Sequence, residues 1–182
     1  MFGKLFSSFK SDNSTEKEQQ ERSIIVYAPL SGAITALDTV PDPVFAEKML
    51  GDGLAIEPKS QTLLAPFAAT VVSLFPSGHA IGLRTPSGLE CLLHIGIDTV
   101  ALNGQGFRPL VAQGDEVAQG TPLIELDLAC LKQTGKQLVT PLVITNSSQW
   151  KITERTSEEV ATAGQTPLFT AVFLATTPEE DL

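Results

Sequence analysis

The sequence has few of the residues that mark metal-rich, disulfide-bonded or membrane-spanning proteins. Its 182 residues include two cysteines, two histidines, one tryptophan and one tyrosine. Cys91 and Cys130 lie in apolar stretches without CxxC spacing, so we expect buried, reduced thiols and a cytoplasmic protein. No apolar run approaches the roughly 18 residues needed to span a bilayer. The N-terminus also has no uninterrupted apolar segment of the kind that forms a signal peptide.

Positive charge is scarce as well. Twelve Lys and Arg residues are set against 21 Asp and Glu residues, and the formal net charge is −9. Because nucleic-acid binding depends on clustered basic side chains, we expect no nucleic-acid partner. The hydrophobic content of 42% is enough for one domain with a buried core.

The two ends of the chain differ from its middle. Four apolar side chains have the spacing of one helix face: Phe2, Leu5, Phe6 and Phe9. The polar SDNSTEKEQQER that follows is typical of a linker. We therefore divide the chain into an amphipathic helical segment with its linker (1–22), a domain (23–176) and an acidic tail (177–182). A short aromatic helix on a linker fits docking to a membrane surface or a partner, and a disordered or self-packed terminus is the alternative.

From Ser23 onward, short apolar and β-branched runs alternate with Gly, Pro, Asn and Asp turns. This spacing predicts an all-β sandwich or barrel. Short helical turns are expected only at PDPVFAEKML and DLACLKQTGKQL. Two internal echoes indicate duplication. APLSGAITAL (28–37) aligns with APFAATVVSL (65–74), and GTPLIEL (120–126) resembles GQTPLFT (164–170).

Both histidines fall on the arms of a predicted hairpin, HAIGLR–TPSG–LECLLH. If Thr85–Gly88 form the loop, Arg84 faces Leu89 and His79 lies directly opposite His94. Facing side chains in such a pair have Cβ atoms about 4.5–5.5 Å apart. A slip of one residue would send the two rings to opposite faces of the sheet.

The pattern leaves three hypotheses for His94. It is a buried structural histidine, a zinc ligand, or a nucleophile whose neighbour His79 donates a hydrogen bond to a transferred group. Two histidines fall short of the three or four ligands of a zinc site, so Asp98 or a partner would have to complete one. Cys91 is an odd number of residues from His94, so it points to the other face and is an unsuitable partner.

Several segments, in order, resemble the glucose-type IIA phosphocarrier family of the bacterial phosphoenolpyruvate–sugar phosphotransferase system. They are APLSG, PDPVFAEKMLGDGLAIEP, GHAIGL, LLHIGIDTV, LNGQGF and the GDEV run followed by PLIELD. The resemblance covers roughly residues 23–175. It implies an antiparallel β-sandwich with internally duplicated topology, the duplicated hybrid motif, and no obligatory cofactor.

The resemblance also implies roles for individual residues. His94 is expected to be the phosphorylated nucleophile, with the phosphocarrier HPr as donor and the IIB domain of a glucose-type sugar permease as acceptor. His79 is expected to hydrogen-bond the phosphoryl oxygens. Ser77, where the family commonly has a threonine, would orient His79, and Gly96 would offer its carbonyl to the His94 ring.

A partner-docking surface around the histidines is implied too. Its expected members are Val44, Phe45, Phe75, Leu92 and Val100, with Asp42 and Asp98 available for an arginine of HPr. The resemblance further implies regulatory complexes of the unphosphorylated form, zinc held by His79 and His94 together with a partner carboxylate, and membrane association through residues 1–10.

Two other classes of function are alternatives to a phosphocarrier. A zinc peptidase of related β topology would need an HxH pair and a third histidine, and this sequence has neither. A non-catalytic adaptor, docked through the N-terminal aromatic residues, would stand alone only if no phosphoryl donor labelled the chain.

Overall fold

The structure is a computed structural model that describes residues 23–174 as an antiparallel β-sandwich. The all-β prediction is confirmed. The helix predicted within residues 1–10, its linker and the acidic tail lie outside the described residues. Within residues 23–174 no helix is long and apolar enough to cross a membrane.

Strands are the main regular structure of the described chain. They are β1 Ser23–Tyr27, β2 Gly32–Thr35, β3 Asp52–Pro58, β4 Thr62–Leu64, β5 Ala69–Leu74, β6 Ala80–Arg84, β7 Glu90–His94, β8 Phe107–Pro109, β9 Glu116–Val117, β10 Pro122–Leu126, β11 Thr140–Ile144, β12 Trp150–Thr153, β13 Val160–Ala161 and β14 Pro167–Phe173. They form one eight-stranded sheet, ordered β13-β2-β3-β11-β7-β6-β5-β9, and two three-stranded sheets, β1-β14-β12 and β4-β10-β8.

Helical structure is limited to short turns. The helices are α1, Pro43–Ala46, and α2, Leu128–Gln133, and both lie in the segments predicted to be helical. Helix α1 begins where the Val44 N–H donates to Asp42 Oδ1 at 2.8 Å, with a proline as its first residue. Two 3₁₀ turns, η1 (Leu37–Thr39) and η2 (Thr99–Leu102), complete the set within residues 23–174.

The internal duplication is visible in the hydrogen bonds. The Tyr27 N–H donates to the Pro66 carbonyl at 3.0 Å, and the Leu64 N–H donates to the Pro29 carbonyl at 2.9 Å. The two segments of the first echo are offset by 37 residues. The same offset relates Tyr27 to Leu64 and Pro29 to Pro66, so the two hydrogen bonds are equivalent under exchange of the segments. In the large sheet β2 and β5, which the same offset relates, each lie second from an edge, and β7 and β11 pair at its centre. The duplicated topology expected from the sequence is therefore present.

Strand β7 presents different surroundings on its two faces. Cys91 and Leu93 are buried in the main core, which fills the space between the large sheet and the two small ones. Leu92, on the other face, packs against a second, smaller cluster that includes Phe45 of α1 and Val143 of β11. His94 ends the strand on the side of this second cluster, because side chains alternate along a strand.

The predicted register of the histidine hairpin is wrong by one residue. Arg84 pairs with Glu90 rather than with Leu89, so His94 faces Ala80 rather than His79. The loop contains five residues because the Thr85 N–H donates to the Leu89 carbonyl and the Leu89 N–H donates to Thr85 Oγ1, both at 3.0 Å. Leu89 is thereby turned into the core, where it is fully buried.

Candidate functional site

The two histidine rings meet despite the shifted register. His79 precedes the first residue of β6, so the alternation of a regular strand does not fix the direction of its side chain. The Ile95 N–H donates to the His79 carbonyl at 2.7 Å and ties the two chain segments together. The ring centroids are 5.1 Å apart and the rings are nearly perpendicular, at 78°. His79 is only 4% exposed, whereas His94 is half-buried and open to a partner.

The His94 ring is held by the chain that follows it. Its Nδ1 lies 2.8 Å from the Gly96 carbonyl oxygen, and this bond requires a hydrogen on Nδ1. In the neutral ring the free lone pair is therefore on Nε2. The geometry leaves Nε2 as the atom able to attack an electrophile or to bind a metal.

The His79 ring is held in a comparable way by the turn that precedes it. Ser77 Oγ lies 2.5 Å from His79 Nδ1. The turn is closed by the Gly78 N–H, which donates to the Phe75 carbonyl at 2.8 Å, and Gly78 has φ +69°. With Nδ1 engaged by Ser77, Nε2 of His79 is left for a ligand.

Burial lowers the pKa of both histidines. For His79, burial comes first, and the nearby charge of His94 adds to it. For His94, burial outweighs the Gly96 carbonyl and the carboxylates of Asp42 and Asp98, which act in the opposite direction. Both pKa values therefore lie below the ordinary value of about 6.5, and both rings are neutral at pH 7.

We expect an NMR titration of the imidazole protons to place both midpoints below about pH 6.5. Between the lowered folded-state pKa and 6.5 the unfolded chain binds more protons than the folded one, so the free energy of unfolding should fall as the pH drops through this range. The urea-unfolded protein serves as the reference and should titrate at about 6.5. Folded-state midpoints at or above that of the unfolded chain would contradict the assignment.

Aromatic side chains form the walls of the site. The Phe45 ring centroid is 5.3 Å from that of His94, and the Phe75 ring centroid is 5.3 Å from that of His79. Phe45 is only 3% exposed, so it supports the His94 ring from the core rather than offering a docking surface. Phe75, by contrast, is 42% exposed.

The remaining residues of the predicted docking surface differ in exposure. Val100 is 56% exposed in η2, Leu92 and Val44 are half-buried, and Asp98 is exposed at the start of η2. Asp42 caps α1, and its carboxylate and that of Asp98 are close enough to His94 to oppose part of the lowering of its pKa by burial. The structure thus brings the two acids and the exposed Phe75 close to the two histidines.

Sequence reasoning missed two features near these segments of the chain. Met49 and Leu50, three and four residues beyond the end of α1, are exposed apolar side chains, at 69% and 40%. Thr99 is fully buried, and its hydroxyl donates to the Ile95 carbonyl at 2.5 Å. The position of Thr99 in the mainly apolar segment HIGIDTV was the sequence feature that could have indicated a buried polar side chain.

Gly96 cannot be replaced without strain. Its φ is +71°, and a Cβ there would lie 2.6 Å from Thr99 Cγ2 and 2.8 Å from the Gln137 carbonyl oxygen. We expect Gly96→Ala to lower the free energy of unfolding by about 2–5 kcal/mol, which combines backbone strain with overpacking.

Gly135→Ala is the matched control in urea denaturation. Gly135 has φ +73°, and a Cβ added there would meet no atom within 4 Å, so only the backbone term of about 1–2 kcal/mol applies. An equal decrease in the free energy of unfolding in the two variants would show that the close contacts around Gly96 add nothing to the destabilisation.

The described residues offer neither a grouped set of metal ligands nor a reactive thiol at the site. Within residues 23–174 no three or more His, Cys, Asp or Glu side chains are grouped so that they could hold a metal ion. Cys91 is buried on the core face, and burial raises the pKa of its thiol, so it is an inert hydrophobic residue. The prediction that Cys130 is also buried is wrong, since this residue of α2 is only partly buried. The reactive groups of the site are the two imidazoles.

Known proteins resemble the chain in sequence and in fold. Residues 24–150, which include both histidines, match the family described as phosphoenolpyruvate-dependent sugar phosphotransferase system, EIIA 1. A protein of Halalkalibacterium halodurans named PTS system glucose-specific EIIA component is 42% identical over 170 residues, 93% of this chain and 97% of that protein. A Staphylococcus aureus protein of the same name is 43% identical over 149 residues, 82% of this chain and 85% of that protein. The solved structure of glucose permease IIA from Mycoplasma capricolum matches with a TM-score of 0.76 at 38% identity, covering 82% of this chain and 96% of that chain.

Proposed function

The chain belongs to the EIIA 1 family of the phosphoenolpyruvate-dependent sugar phosphotransferase system, a phosphotransferase family that serves sugar uptake, and on that basis we propose that it carries the phosphoryl group on His94. The donor is the phosphocarrier HPr, and the acceptor is the IIB domain of a glucose-type sugar permease. Both the donor and the acceptor bind the chain in the cytoplasm.

One observation carries the assignment to His94 rather than His79. The bond from Nδ1 to the Gly96 carbonyl leaves the Nε2 lone pair free, on a ring that is half-buried and therefore open to a partner. His79 has almost no exposed surface and is held by Ser77. It is suited to assist a neighbour and poorly suited to meet a second protein.

In the transfer step the Nε2 lone pair of His94 forms the new bond to phosphorus. The bond between phosphorus and the donor breaks, and its electron pair returns to the donor. The Nδ1 hydrogen stays in place, and the Gly96 carbonyl stabilises the positive charge that develops on the ring. His79 donates from Nε2–H to the phosphoryl oxygens, since a donor aimed at developing negative charge lowers the barrier. Transfer to the acceptor reverses the same bond changes.

The surroundings of the pair fit brief contact with different partners. Phe75 and Val100 are exposed apolar contacts, and Asp42 and Asp98 are available to an arginine of HPr. An apolar rim also limits the access of water, which hydrolyses phosphohistidine. Weak, repeated docking needs only a small interface.

The proposal includes regulatory complexes of the unphosphorylated form. His94 offers the Nε2 lone pair as a zinc ligand, and His79 offers the same atom when the Ser77 hydroxyl accepts a hydrogen bond from Nδ1 instead of donating one to it. Two ligands are too few for a stable site, so a carboxylate of the partner would complete it. Such a zinc site would exist only in the complex.

The test is phosphorylation by a reconstituted relay. The purified chain is incubated with phosphoenolpyruvate, enzyme I and HPr, and intact mass and peptide sequencing locate the added group. One phosphoryl group on His94, acid-labile and base-stable, is the expected result. Absence of labelling would overturn the proposed function and leave the adaptor hypothesis in its place.

A further inference from the structure

Thr99 makes a hydrogen bond that its local structure does not require. Its side chain is fully buried, and its hydroxyl donates to the carbonyl of Ile95, four residues earlier, at 2.5 Å. Threonines inside helices often bond to such a carbonyl. Here, however, the chain from Ile95 to Asp98 is not helical, and Asp98 has φ +57°. The bond therefore closes the loop that follows His94.

Two peptide units meet at Gly96, and each is held by a separate hydrogen bond. The carbonyl of Ile95, in the first unit, accepts from Thr99. The second unit contains both the Gly96 carbonyl and the Ile97 N–H, which donates to the Gln137 carbonyl at 2.8 Å. Since a peptide unit is planar, holding both units fixes the direction of the Gly96 carbonyl. That carbonyl is the acceptor for His94 Nδ1.

The Thr99 methyl group contributes to the same end. A Cβ added to Gly96 would lie 2.6 Å from Thr99 Cγ2, so the methyl occupies the space beside the Gly96 backbone. The glycine, which has the widest choice of backbone conformations, is thereby confined from the side as well.

We propose that Thr99 is a positioning residue that holds the Gly96 carbonyl against His94 Nδ1 and so keeps Nε2 as the nucleophilic nitrogen. The expected effect on the transfer rate rests on the proposed phosphoryl transfer at His94. The expected effect on the tautomer of the His94 ring does not depend on that proposal. A continuous series of hydrogen bonds, from the Gln137 carbonyl through the Gly96–Ile97 peptide to the imidazole, strengthens the acceptor because such bonds polarise one another.

Three variants separate positioning from simple core packing. Thr99→Val removes the hydroxyl and keeps the shape, whereas Thr99→Ser keeps the hydroxyl. Thr85→Val is the matched control, since Thr85 is also a buried threonine whose Oγ1 bonds to the backbone, at the opposite end of the same hairpin. If Thr99→Val does not fold, Thr99→Ala removes the hydroxyl without adding bulk at that position.

The first readout is the tautomer of His94, from the nitrogen chemical shifts of ¹⁵N-histidine-labelled protein. In the wild type and in Thr99→Ser we expect the form with hydrogen on Nδ1. In Thr99→Val, or Thr99→Ala, we expect a mixture of the two neutral tautomers. Thr85→Val should leave the His94 signals unchanged, whatever it does to stability.

The second readout is the rate of phosphoryl transfer from phospho-HPr. We expect kcat to fall about tenfold in Thr99→Val, as is common when a group that orients a catalytic histidine is lost, while KM is unchanged. Thr99→Ser should recover most of that loss. A wild-type tautomer and rate in the hydroxyl-deleted variants would overturn the role of Thr99. If the wild type itself accepts no phosphate, the proposed function fails, and the tautomer measurement alone decides the role of Thr99.

Discussion

Replacing His94 with glutamine is expected to abolish phosphorylation by the HPr relay. Glutamine has a similar length and can still accept or donate a hydrogen bond, but its amide has no nucleophilic nitrogen with a free lone pair. No other side chain at the site offers one in the same position, because His79 is buried and held by Ser77. The incorporated phosphate should drop to the background of the assay.

Intact-mass measurement after incubation with phosphoenolpyruvate, enzyme I and HPr checks this prediction. His79→Gln is the matched control, since it makes the same chemical change in the ring whose centroid lies 5.1 Å away. Thermal unfolding of both variants shows whether the fold is kept. Equal labelling of His94→Gln and the wild type would remove His94 from the mechanism.

The second large effect is expected for His79→Gln in transfer to the acceptor. His94 should still take up the phosphoryl group, since its own lone pair and its bond to Gly96 are untouched. In the proposed mechanism this variant weakens the donor that stabilises the phosphoryl oxygens during transfer, and removal of such a donor typically costs about 10²–10³ in rate. We therefore expect onward transfer to the IIB domain to slow by about 10²–10³-fold.

Rapid-quench transfer from the phosphorylated chain to an isolated IIB domain measures this step directly. Ser77→Ala provides a graded comparison, because it leaves the His79 ring in place and removes only the hydroxyl that orients it. Its loss should be smaller than that of His79→Gln. Wild-type transfer rates in His79→Gln would show that His79 takes no part.

Much of the fold follows from local patterns in the sequence. The long apolar strands at the centre of the large sheet, such as β3 and β11, are predicted because burial on both faces demands continuous apolar runs. The short strand β8, Phe-Arg-Pro, could not be predicted, since three residues with a proline carry no period. The same holds for the two-residue strands β9 and β13, which pair only because tertiary structure brings them to the sheet edges.

The site, too, is only partly predictable from local sequence patterns. The spacing of the hairpin placed His79 and His94 together, but it counted a four-residue loop where the Thr85 hydroxyl closes five. Loop length depends on such side-chain bonds to the backbone, which no periodicity records. The rings still meet because His79 lies beyond the end of its strand, a reason that the sequence does not reveal.

The bond from His94 Nδ1 to the Gly96 carbonyl uses an atom that is the same before and after transfer. In the proposed mechanism the phosphoryl group would join Nε2, whereas Nδ1 would keep its hydrogen and its acceptor in both states. The ring would have no need to rotate between loading and unloading, so little reorganisation would be added to either barrier. A relay of this kind would run in both directions, and the supply of donor and the demand of acceptor would decide which way the phosphoryl group flows.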